Sequence, residues 1–406
     1  MAKLKIFNDP VHGFIEVGEP ILLSLIDHPY LQRLRRIRQL AFTSWVYPGA
    51  VHTRFNHVLG AMHLTRTALE TLRNKGIKLT DSEFEATLIA ILLHDLGHPP
   101  FSHALERVLL PHFHHEELSK ALIQNLNNHY FNQELTLALQ IFSKQYSRPF
   151  LHQLVSSQLD MDRMDYLMRD SFFTGVSEGI VGTERIIKTL TVVNEQLVVE
   201  EKGIYSVEKF IIARRLMYWQ VYLHKAVLAS EKMLVNMVRR AKEIFLQNKP
   251  IWTNESLSFF FLLPQNQRIE LTDEVLAHYT ALDDEDILYA IKQWQHHPDR
   301  ILSELANRLL NRRLLKLRFQ NHPITPTEIA GLQAKFAQKN NLAPNLADFF
   351  VFAGEASNLA YLNSDEEPIL ILTKSGSLTN IATASDISNI EALAKKVVKY
   401  YICMPE

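Results

Sequence analysis

Histidine is the residue type in this sequence best suited to chemistry near neutral pH. The chain has 18 histidines among 406 residues, and many of them lie between His52 and His152. Imidazole is a common metal ligand and exchanges its proton between pH 5 and 8. The single cysteine, Cys403, excludes an intrachain disulfide and a cysteine-rich zinc site. Any metal must therefore be held by histidines and carboxylates.

The dipeptide His94-Asp95 is the first candidate for such a metal site. It follows a strongly apolar run and so falls at the end of a predicted helix. Further candidate ligands lie before and after it: His57, Asp160, Asp162 and Asp165. Two imidazoles and two carboxylates suit Zn, Fe, Mn or Ni and leave positions open for water and substrate. The alternative is that His94 caps a buried helix end and that the aspartates are solvated helix caps.

Groups that can bind phosphate surround these candidates. They are Arg54, Arg163, His98, His103 and His115. Arg54 stands one helical turn before His57, so both side chains can point the same way. Glu106 follows His103 by three residues and can orient its imidazole. A metal flanked by arginine and histidine suits phosphoryl chemistry, because developing negative charge must be stabilised and a water activated. The alternative for each arginine is a surface ion pair.

A further set of side chains recurs on one helical face. Arg214, Tyr218 and Tyr222 are spaced by four residues within a stretch, about 207–243, that has no Gly or Pro. This stretch predicts one long helix. Aromatic packing with a snorkelling arginine is the alternative explanation of the pattern.

The elements that must position these residues are mostly helices. Thr80 and Glu83 have capping-box spacing before the apolar run 88–93, which predicts the start of the helix that ends near His94. Other helices are predicted at about 20–27, 29–37, 53–73, 116–127, 133–146 and 163–171. The first twenty residues predict a β-hairpin, because β-branched and aromatic residues flank turn formers at Asp9 and Gly13.

The C-terminal part has a different pattern. Capping patterns at Asp283 and Thr325 predict smaller helices after about residue 250. Strands are predicted at 350–352, 369–372 and 397–402, a helix near 388–396, and a hairpin edge at 197–206. We therefore expect a mainly α fold with small β-hairpin additions. Its catalytic core would span 1–245, with a helical and α+β region at 246–406 packed on that core.

Composition excludes several classes of protein. The 43 Lys+Arg and 44 Asp+Glu give a formal net charge of −1, so no basic footprint for nucleic acid shows at this level. With 47% hydrophobic and 21% charged residues, the chain has the composition of a globular protein. Its apolar runs are far shorter than the roughly 18 residues of a spanning helix, and its start lacks a signal-peptide pattern. We expect a cytoplasmic protein that does not cross a membrane.

Six segments together resemble the HD-domain deoxynucleoside triphosphate triphosphohydrolases, especially the catalytic core of the animal members that also carry a sterile-alpha-motif domain. The segments are DPVHGFIEV (9–17), IDHPYLQRLRRIRQL (26–40), YPGAVHTRFNHVLG (47–60), HDLGHPPFSH (94–103), HHEELS (114–119) and LDMDRMDYLMRDSFFTGV (159–176). The similarity is spread over about residues 5–245. It implies a largely helical fold, assembly as dimers or tetramers, and hydrolysis of a dNTP to deoxynucleoside and intact triphosphate.

The resemblance also implies roles for individual residues. It makes four of them metal ligands: His57, His94, Asp95 and Asp162. It places four at the phosphates as catalytic groups: His98, His103, Glu106 and His115. It matches Arg54, Arg163 and Arg214 to phosphate-binding positions. It matches five residues to positions that line the deoxyribose: Gln39, Leu40, Tyr166, Asp170 and Tyr222. The implied cofactor is one divalent transition metal (Fe, Mn, Zn or Ni), with Mg entering alongside the nucleotide.

Three positions depart from the family pattern. Glu106 stands where the family usually has Asp, Pro99 where the animal enzyme has Gly, and Tyr218 where it has a His that faces the nucleotide. These departures bear on fine geometry and base preference, and none removes a metal ligand.

The resemblance extends to regulation by a guanine nucleotide. Asp27, Gln32 and Arg35 match an activator site at a subunit contact of the animal enzyme, so GTP or dGTP is the expected activator. A carboxylate can accept hydrogen bonds from guanine N1 and N2, and an arginine can reach O6. The alternative is that Asp27 caps the helix opening at Pro29 while Gln32 and Arg35 lie on its solvated face.

Two other functions stay open at this point. Another HD-superfamily hydrolase, such as a nucleoside monophosphatase or a cyclic nucleotide phosphodiesterase, would release different products. A nucleotide-sensing or single-strand-binding module would need a basic groove with aromatic side chains.

Overall fold

A computed structural model describes residues 4–264, 266–359, 361, 368–386 and 395–406. The helices up to residue 246 are α1 (Pro20–Asp27), α2 (Pro29–Arg33), α3 (Arg54–Asn74), α4 (Asp81–Leu93), α5 (Glu106–Leu109), α6 (His115–His129), α7 (Thr136–Phe142), α8 (Pro149–Val155), α9 (Met161–Thr174), α10 (Thr183–Thr189), α11 (Ile204–Met217) and α12 (Lys225–Leu246). The later helices are α13 (Glu255–Leu262), α14 (Asp273–Ala281), α15 (Asp284–Trp294), α16 (Arg300–Leu310), α17 (Pro326–Asn340) and α18 (Ile381–Ala384). The strands are β1 (Lys5–Asp9), β2 (Gly13–Val17), β3 (Leu190–Val193), β4 (Gln196–Glu200), β5 (Lys316–Gln320), β6 (Phe352–Asn358), β7 (Leu370–Leu372), β8 (Leu378–Asn380) and β9 (Val397–Met404). The fold is mainly α with small β additions, as the sequence predicts.

The strands of the described residues form three small sheets. β1 and β2 make the predicted antiparallel hairpin, and β6, β7 and β9 cover or adjoin the three predicted C-terminal strands. The order in the second sheet is β3-β4-β7-β8, in which β4 and β7 run parallel, and the third is β5-β9-β6. The predicted edge at 197–206 ends early, because β4 stops at Glu200 and α11 begins at Ile204. The helix predicted near 388–396 falls mainly on residues 387–394, which lie outside the described residues.

Local capping sets the start of the two helices that carry the first candidate ligands. Thr53 caps α3, where the side chain of Asn56 accepts a hydrogen bond from the Thr53 backbone at 3.1 Å. Thr80 and Glu83 form the predicted capping box of α4, with reciprocal bonds of 2.9 and 3.1 Å. Residues 86–93 of α4 are all buried, so the helix is fixed by its packing and delivers His94 directly at its C-terminus.

The single long helix predicted over 207–243 is wrong. α11 ends at Met217, a π-helical turn follows over Tyr218–Tyr222, and α12 starts afresh at Lys225. The amide of Leu223 donates to the carbonyl of Tyr218 at 2.8 Å, which is the i to i−5 bond of a π turn. His224 then caps α12, because its Nδ1 accepts from the amide of Ala226 at 3.2 Å. The prediction of one helix rested on the absence of Gly and Pro. It failed because the break contains neither residue, and His224 caps the new helix instead.

Buried apolar residues form two clusters, and most helices contribute mainly to one or the other. The first gathers side chains from α1–α4 and α6–α11 with the β1-β2 hairpin, and the second gathers α12–α16 with β5 and β9. Ile371 and Ile381 of the C-terminal part belong to the first cluster, whereas α12 belongs to the second. The clusters therefore interleave around residue 245, and the domain division there stays a prediction. No helix of the described residues is both long enough and apolar enough to cross a membrane.

α3 and α9 approach closely at Gly60. A Cβ atom added at Gly60 would overlap the side chains of Asp165 and Arg169. Both of these side chains are fully buried. Because Gly60 has no Cβ atom, the side chains of Asp165 and Arg169 can fit between the two helices.

The first prediction concerns this close approach. Gly60→Ala should lower the free energy of unfolding by roughly 3 kcal/mol, because overpacking a fixed polar cluster forces atoms apart. Gly331→Ala is the matched control: Gly331 is exposed in α17 with nothing within 4 Å of an added Cβ, and the change should stabilise by about 0.5–1 kcal/mol. Urea denaturation of the three proteins measures both effects. Equal midpoints for Gly60→Ala and the unchanged protein would contradict the packing argument.

Candidate metal and phosphate site

Four predicted ligands converge where α3, α4 and α9 meet. His57 of α3, His94 at the end of α4 and Asp162 of α9 bring their ligand atoms within 4.8 Å of one another. The Nε2 of His57 lies 3.0 Å from Oδ1 of Asp162 and 3.3 Å from Nε2 of His94. Asp95 completes the group, with Oδ1 3.4 Å from Nε2 of His94 and Oδ2 3.8 Å from Nε2 of His57.

The separations of 3.0, 3.3 and 3.4 Å fit the ligands of one divalent metal ion. Atoms placed about 2.1 Å from a common ion lie roughly 3.0–3.4 Å from each other in octahedral or tetrahedral geometry. Both Nε2 atoms face the other candidate ligands, because the opposite ring nitrogens bind partners outside the group. The Nδ1 of His57 bonds Asp165 at 2.8 Å, and the Nδ1 of His94 donates to the carbonyl of Ile91 at 2.6 Å. Imidazoles held in this way are typical of metal ligands, and the donor set suits Fe, Mn, Zn or Ni.

Asp165 supports His57 from behind and does not join the ligand group. Its Oδ2 also accepts from Nε of Arg169 at 2.9 Å, and its Oδ1 accepts from Nη2 of Arg169 at 2.9 Å. His12 reaches the same Oδ1 with its Nε2 at 2.6 Å. Arg169 in turn binds Asp9, with Nη1 2.7 Å from Oδ2. A buried chain of charged groups thus leads from the N-terminal hairpin to the predicted metal ligand His57.

The charges in this chain stabilise one another. Burial opposes ionisation of Asp165, but the Arg169 guanidinium and the hydrogen bonds hold its pKa well below its usual range. Burial likewise opposes protonation of His57, yet the hydrogen bonds to Asp162 and Asp165 raise the pKa of His57 to about 10. Sequence reasoning missed the supporting roles of Asp9, His12 and Arg169. The signal available was the presence of Asp9 and His12 in the first resembling segment, DPVHGFIEV.

The second group of histidines, His98, His103 and His115, also brings its ring nitrogens within 4.8 Å of one another. Glu106 binds two of them: Nδ1 of His115 lies 2.8 Å from Oε1, and Nδ1 of His103 lies 3.1 Å from Oε2. Burial works against ionisation of Glu106, but these bonds hold its pKa well below its usual range. His98 links this group to the first, because its Nδ1 lies 3.1 Å from Oδ1 of Asp95. Burial and the nearby Arg54 keep the pKa of His98 well below its usual range, so its imidazole is neutral.

The predicted phosphate-binding arginines are held from different elements. Arg54 is buried, with Nη1 2.6 Å from Oδ2 of Asp95 and Nε 2.9 Å from Oγ of Ser102. Asp160, a candidate ligand, instead caps α9 and fixes Arg163, whose amide and Nη1 donate to it at 2.7 and 2.6 Å.

Residues predicted to line the deoxyribose also meet. The hydroxyl of Tyr222 donates to Oδ2 of Asp170 at 2.7 Å. His52, which sequence reasoning left without a role, lies with Nε2 2.8 Å from Oδ1 of the same aspartate. The Oε1 of Gln39 is buried without a hydrogen-bond partner among the described residues.

One cavity of about 670 Å³ joins these groups. The predicted site residues that line it are Gln39, Leu40, Arg54, His94, Asp95, His98, His103, His115, Asp162, Arg163, Tyr166, Asp170, Arg214 and Tyr222. His57 and Glu106 support its wall through the bonds described above. The volume lies in the range of small-molecule sites in proteins.

The three predicted activator residues lie elsewhere. Asp27 pairs with Lys5, with Oδ1 2.7 Å from Nζ. Gln32 accepts at Oε1 from Nε of Arg35 at 2.9 Å, and the Arg35 guanidinium lies 3.6 Å from the centre of the Phe55 ring. The alternative that Asp27 caps α2 is wrong, because His28 is the N-cap residue and its Nδ1 accepts from the amide of Tyr30.

Comparison with known proteins relates this geometry to a family. Residues 54–170 match the HD domain model, and residues 181–258 match the model of an HD associated region. The uncharacterized protein YwfO of Bacillus subtilis is 33% identical over 406 residues, which cover 98% of this chain and 90% of that protein. A Dictyostelium discoideum protein named as a homolog of the deoxynucleoside triphosphate triphosphohydrolase SAMHD1 is 31% identical over 257 residues. That match spans 59% of this chain and half of the Dictyostelium protein.

A solved structure extends the comparison to the whole fold. The crystal structure of a phosphohydrolase from Bacteroides thetaiotaomicron is 46% identical in sequence. It superimposes with a TM-score of 0.93 and covers all of both chains. The C-terminal part is therefore shared with that protein, although residues 259–406 lie beyond both matched family models.

Helices α14 and α15 of this C-terminal part hold the loop between the two histidine groups. The carboxylate of Asp284 accepts from the amide of Phe101 at 2.7 Å and from the amide of Arg38 at 2.9 Å. Tyr279 donates its hydroxyl hydrogen to the carbonyl of Gly97 at 2.6 Å. Phe101 and Ser102 have φ values of 55° and 52°, which bulky residues seldom adopt without support. Ser102 is the residue that accepts a hydrogen bond from Arg54, so this clamp reaches the side of the cavity that is predicted to bind phosphate.

The second prediction tests this clamp. Asp284→Ala leaves two amide groups without their acceptor, so the loop should relax and activity should fall by roughly tenfold. Hydrogen exchange followed by mass spectrometry should show faster exchange in the peptide that covers residues 96–103. Glu285→Ala, an exposed neighbour on α15, is the matched control and should exchange as the unchanged protein does. Identical loop exchange in both variants would refute the clamp.

Proposed function

The chain belongs to the HD-domain family of phosphohydrolases, and from that premise we propose that it hydrolyses dNTPs to deoxynucleoside and inorganic triphosphate. The observation that carries this proposal is the continuous cavity from the ligand group at His94 to the Tyr222–Asp170 pair. The named activity of the Dictyostelium relative supports the substrate class. A dNTP substrate also agrees with the cytoplasmic location expected from the sequence.

In this proposal one divalent transition metal (Fe, Mn, Zn or Ni) is held by four side chains: His57, His94, Asp95 and Asp162. When bound, such an ion stabilises negative charge at the α-phosphate and activates water, and Mg would enter with the nucleotide. The remaining steps fall to the protein's own groups.

Glu106 prepares two imidazoles for proton transfer. Since Nδ1 of His103 and of His115 both face its carboxylate, their Nε2 atoms are left for the substrate. We assign to this pair the proton that the 5′ oxygen takes up when a water oxygen bonds to the α-phosphorus and the bond from that phosphorus to the 5′ oxygen breaks. Neutral His98 adds a hydrogen bond to phosphate.

Binding of the rest of the nucleotide follows from the cavity lining. Arg54, Arg163 and Arg214 offer guanidinium groups to the triphosphate. The Asp170 carboxylate, oriented by Tyr222 and His52, accepts from a sugar hydroxyl. The buried Oε1 of Gln39 supplies a second acceptor. Leu40 and Tyr166 complete the sugar contact.

The third prediction is the product. Protein loaded with Mn²⁺ and incubated with each dNTP should release triphosphate and deoxynucleoside in equal amounts, measured by ion-exchange chromatography. His103→Ala should lower kcat about 100-fold while metal content stays unchanged, and Glu106→Gln should lower it less. His129→Ala, an exposed histidine on α6, is the control and should keep full activity. Release of orthophosphate or pyrophosphate from the unchanged protein would favour another HD-superfamily hydrolase.

Turnover also separates the enzyme from a nucleotide-sensing or nucleic-acid-binding module. Such a module binds without releasing product. A metal-loaded protein that binds dNTPs but releases nothing would therefore favour the module.

The fourth prediction concerns activation. We propose that GTP or dGTP binds at Asp27, Gln32 and Arg35 between subunits of a dimer or tetramer, supported by the contact of Gln32 with Arg35. Added GTP should then raise both the assembled fraction, measured by light scattering, and the hydrolysis rate of other dNTPs. Asp27→Ala should lose this response and keep its metal. Unchanged rates across added GTP and dGTP would exclude the activator role.

A further inference from the structure

One partly buried carboxylate that lines the cavity has no role in the proposed function. Asp95 and Asp162 belong to the metal ligands, Asp170 is bonded by Tyr222, and Glu116 is exposed beside His115. The remaining acidic residue in the lining is Glu231 of α12. Its carboxylate has no hydrogen-bond or ion-pair partner among the described residues.

The position of Glu231 in the cavity is next to the sugar-binding residues. Leu223 follows Tyr222 directly, and Val227, Leu228 and Glu231 continue the same wall along the first two turns of α12. Val227 and Glu231 are four residues apart and so share one helical face. Apolar side chains followed by one carboxylate make a wall suited to a flat heterocycle with a polar edge. The nucleobase is the part of a dNTP that lies beyond the sugar.

The surroundings of Glu231 differ from those of a structural carboxylate. On the same helix, Glu243 accepts from Nη1 of Arg240 at 2.9 Å. Burial raises the pKa of Glu231 to about 7, and the neighbouring Lys232 offsets this only in part. A half-buried acid without a partner costs stability, which a ligand that donates hydrogen bonds would recover.

We propose that Glu231 reads the edge of the nucleobase and gives the enzyme a preference for guanine; this rests on the proposed dNTP hydrolysis. The ionised carboxylate has two acceptor oxygens and no donor. Guanine presents two adjacent donors, N1–H and the N2 amino group. Adenine and cytosine present one donor beside an acceptor, and thymine presents one donor between two acceptors. Guanine alone satisfies both oxygens of Glu231 at once.

The experiment compares kcat/KM for the four dNTPs at pH 8, where Glu231 is ionised. The unchanged protein should favour dGTP over dATP by about tenfold or more. Glu231→Gln should lose that preference, because its amide replaces one of the two acceptor oxygens with an NH2 group that only donates. Glu243→Gln makes the same chemical change on the same helix outside the cavity and should behave as the unchanged protein. Equal efficiencies for all four dNTPs, unaltered in Glu231→Gln, would overturn the guanine assignment while leaving dNTP hydrolysis in place.

Binding of nucleosides tests base recognition by Glu231 without requiring hydrolysis. Calorimetry with deoxyguanosine and deoxyadenosine should give tighter binding of deoxyguanosine, lost in Glu231→Gln and kept in Glu243→Gln. If no dNTP is hydrolysed, the proposed function fails, and this measurement alone decides the base subsite. Equal binding of the two nucleosides would then overturn it.

Discussion

The Asp165 carboxylate is the group on which the geometry of the cavity depends. Its two oxygens are shared by Arg169, His12 and His57, and all of these groups are packed between α3, α9 and the N-terminal hairpin. Loss of one partner in a buried charge network leaves the other charges without compensation, at a cost of about 3–5 kcal/mol. The same carboxylate fixes the ring of His57, a predicted metal ligand. The packing of the helices at Gly60 and the chemistry of the site are therefore set by one group.

The two histidine groups depend on different supports. The ligands at His57, His94 and Asp162 come from helices, whose positions are fixed by the first apolar cluster. The second group lies around a loop, and that loop is held from outside by Tyr279 and Asp284. Ser119 joins the two supports, because its Oγ donates to the carbonyl of His94 at 2.5 Å and accepts from the amide of Gly97 at 2.9 Å. A helix-borne group of predicted metal ligands and a separately braced histidine group suit the proposed reaction, in which metal binding and proton transfer are divided between different side chains.

The sequence predicted those parts of the fold and site that depend on neighbouring residues. The Thr80–Glu83 capping box, the hairpin at the N-terminus and the helix that presents His94 are local, and each is confirmed. The resembling segments allowed the candidate residues to be chosen, and the structure brings most of them to one cavity. Their roles stay predictions.

The features that could not be predicted from the sequence depend on contacts between residues far apart in the chain. His12 and His52 lie in resembling segments, but no neighbouring residue indicates that they bond Asp165 and Asp170, more than 100 positions away. The clamp by Asp284 joins residues 183 positions apart. The break between α11 and α12 was missed for another reason. The residues that form it, Tyr218 to His224, have ordinary helix propensity, and a π turn with a histidine cap has no distinctive sequence pattern.

Anomalous diffraction from crystals grown with Mn²⁺ distinguishes the two histidine groups as metal sites, since both lie within one cavity. We expect one strong peak about 2.0–2.3 Å from Nε2 of His57, Nε2 of His94 and the carboxylate of Asp162, with Asp95 completing the ligands. The three imidazoles His98, His103 and His115 should carry no peak. A peak at those three histidines, with none at His57 and His94, would contradict the division of the site into a metal centre and a separate phosphate centre.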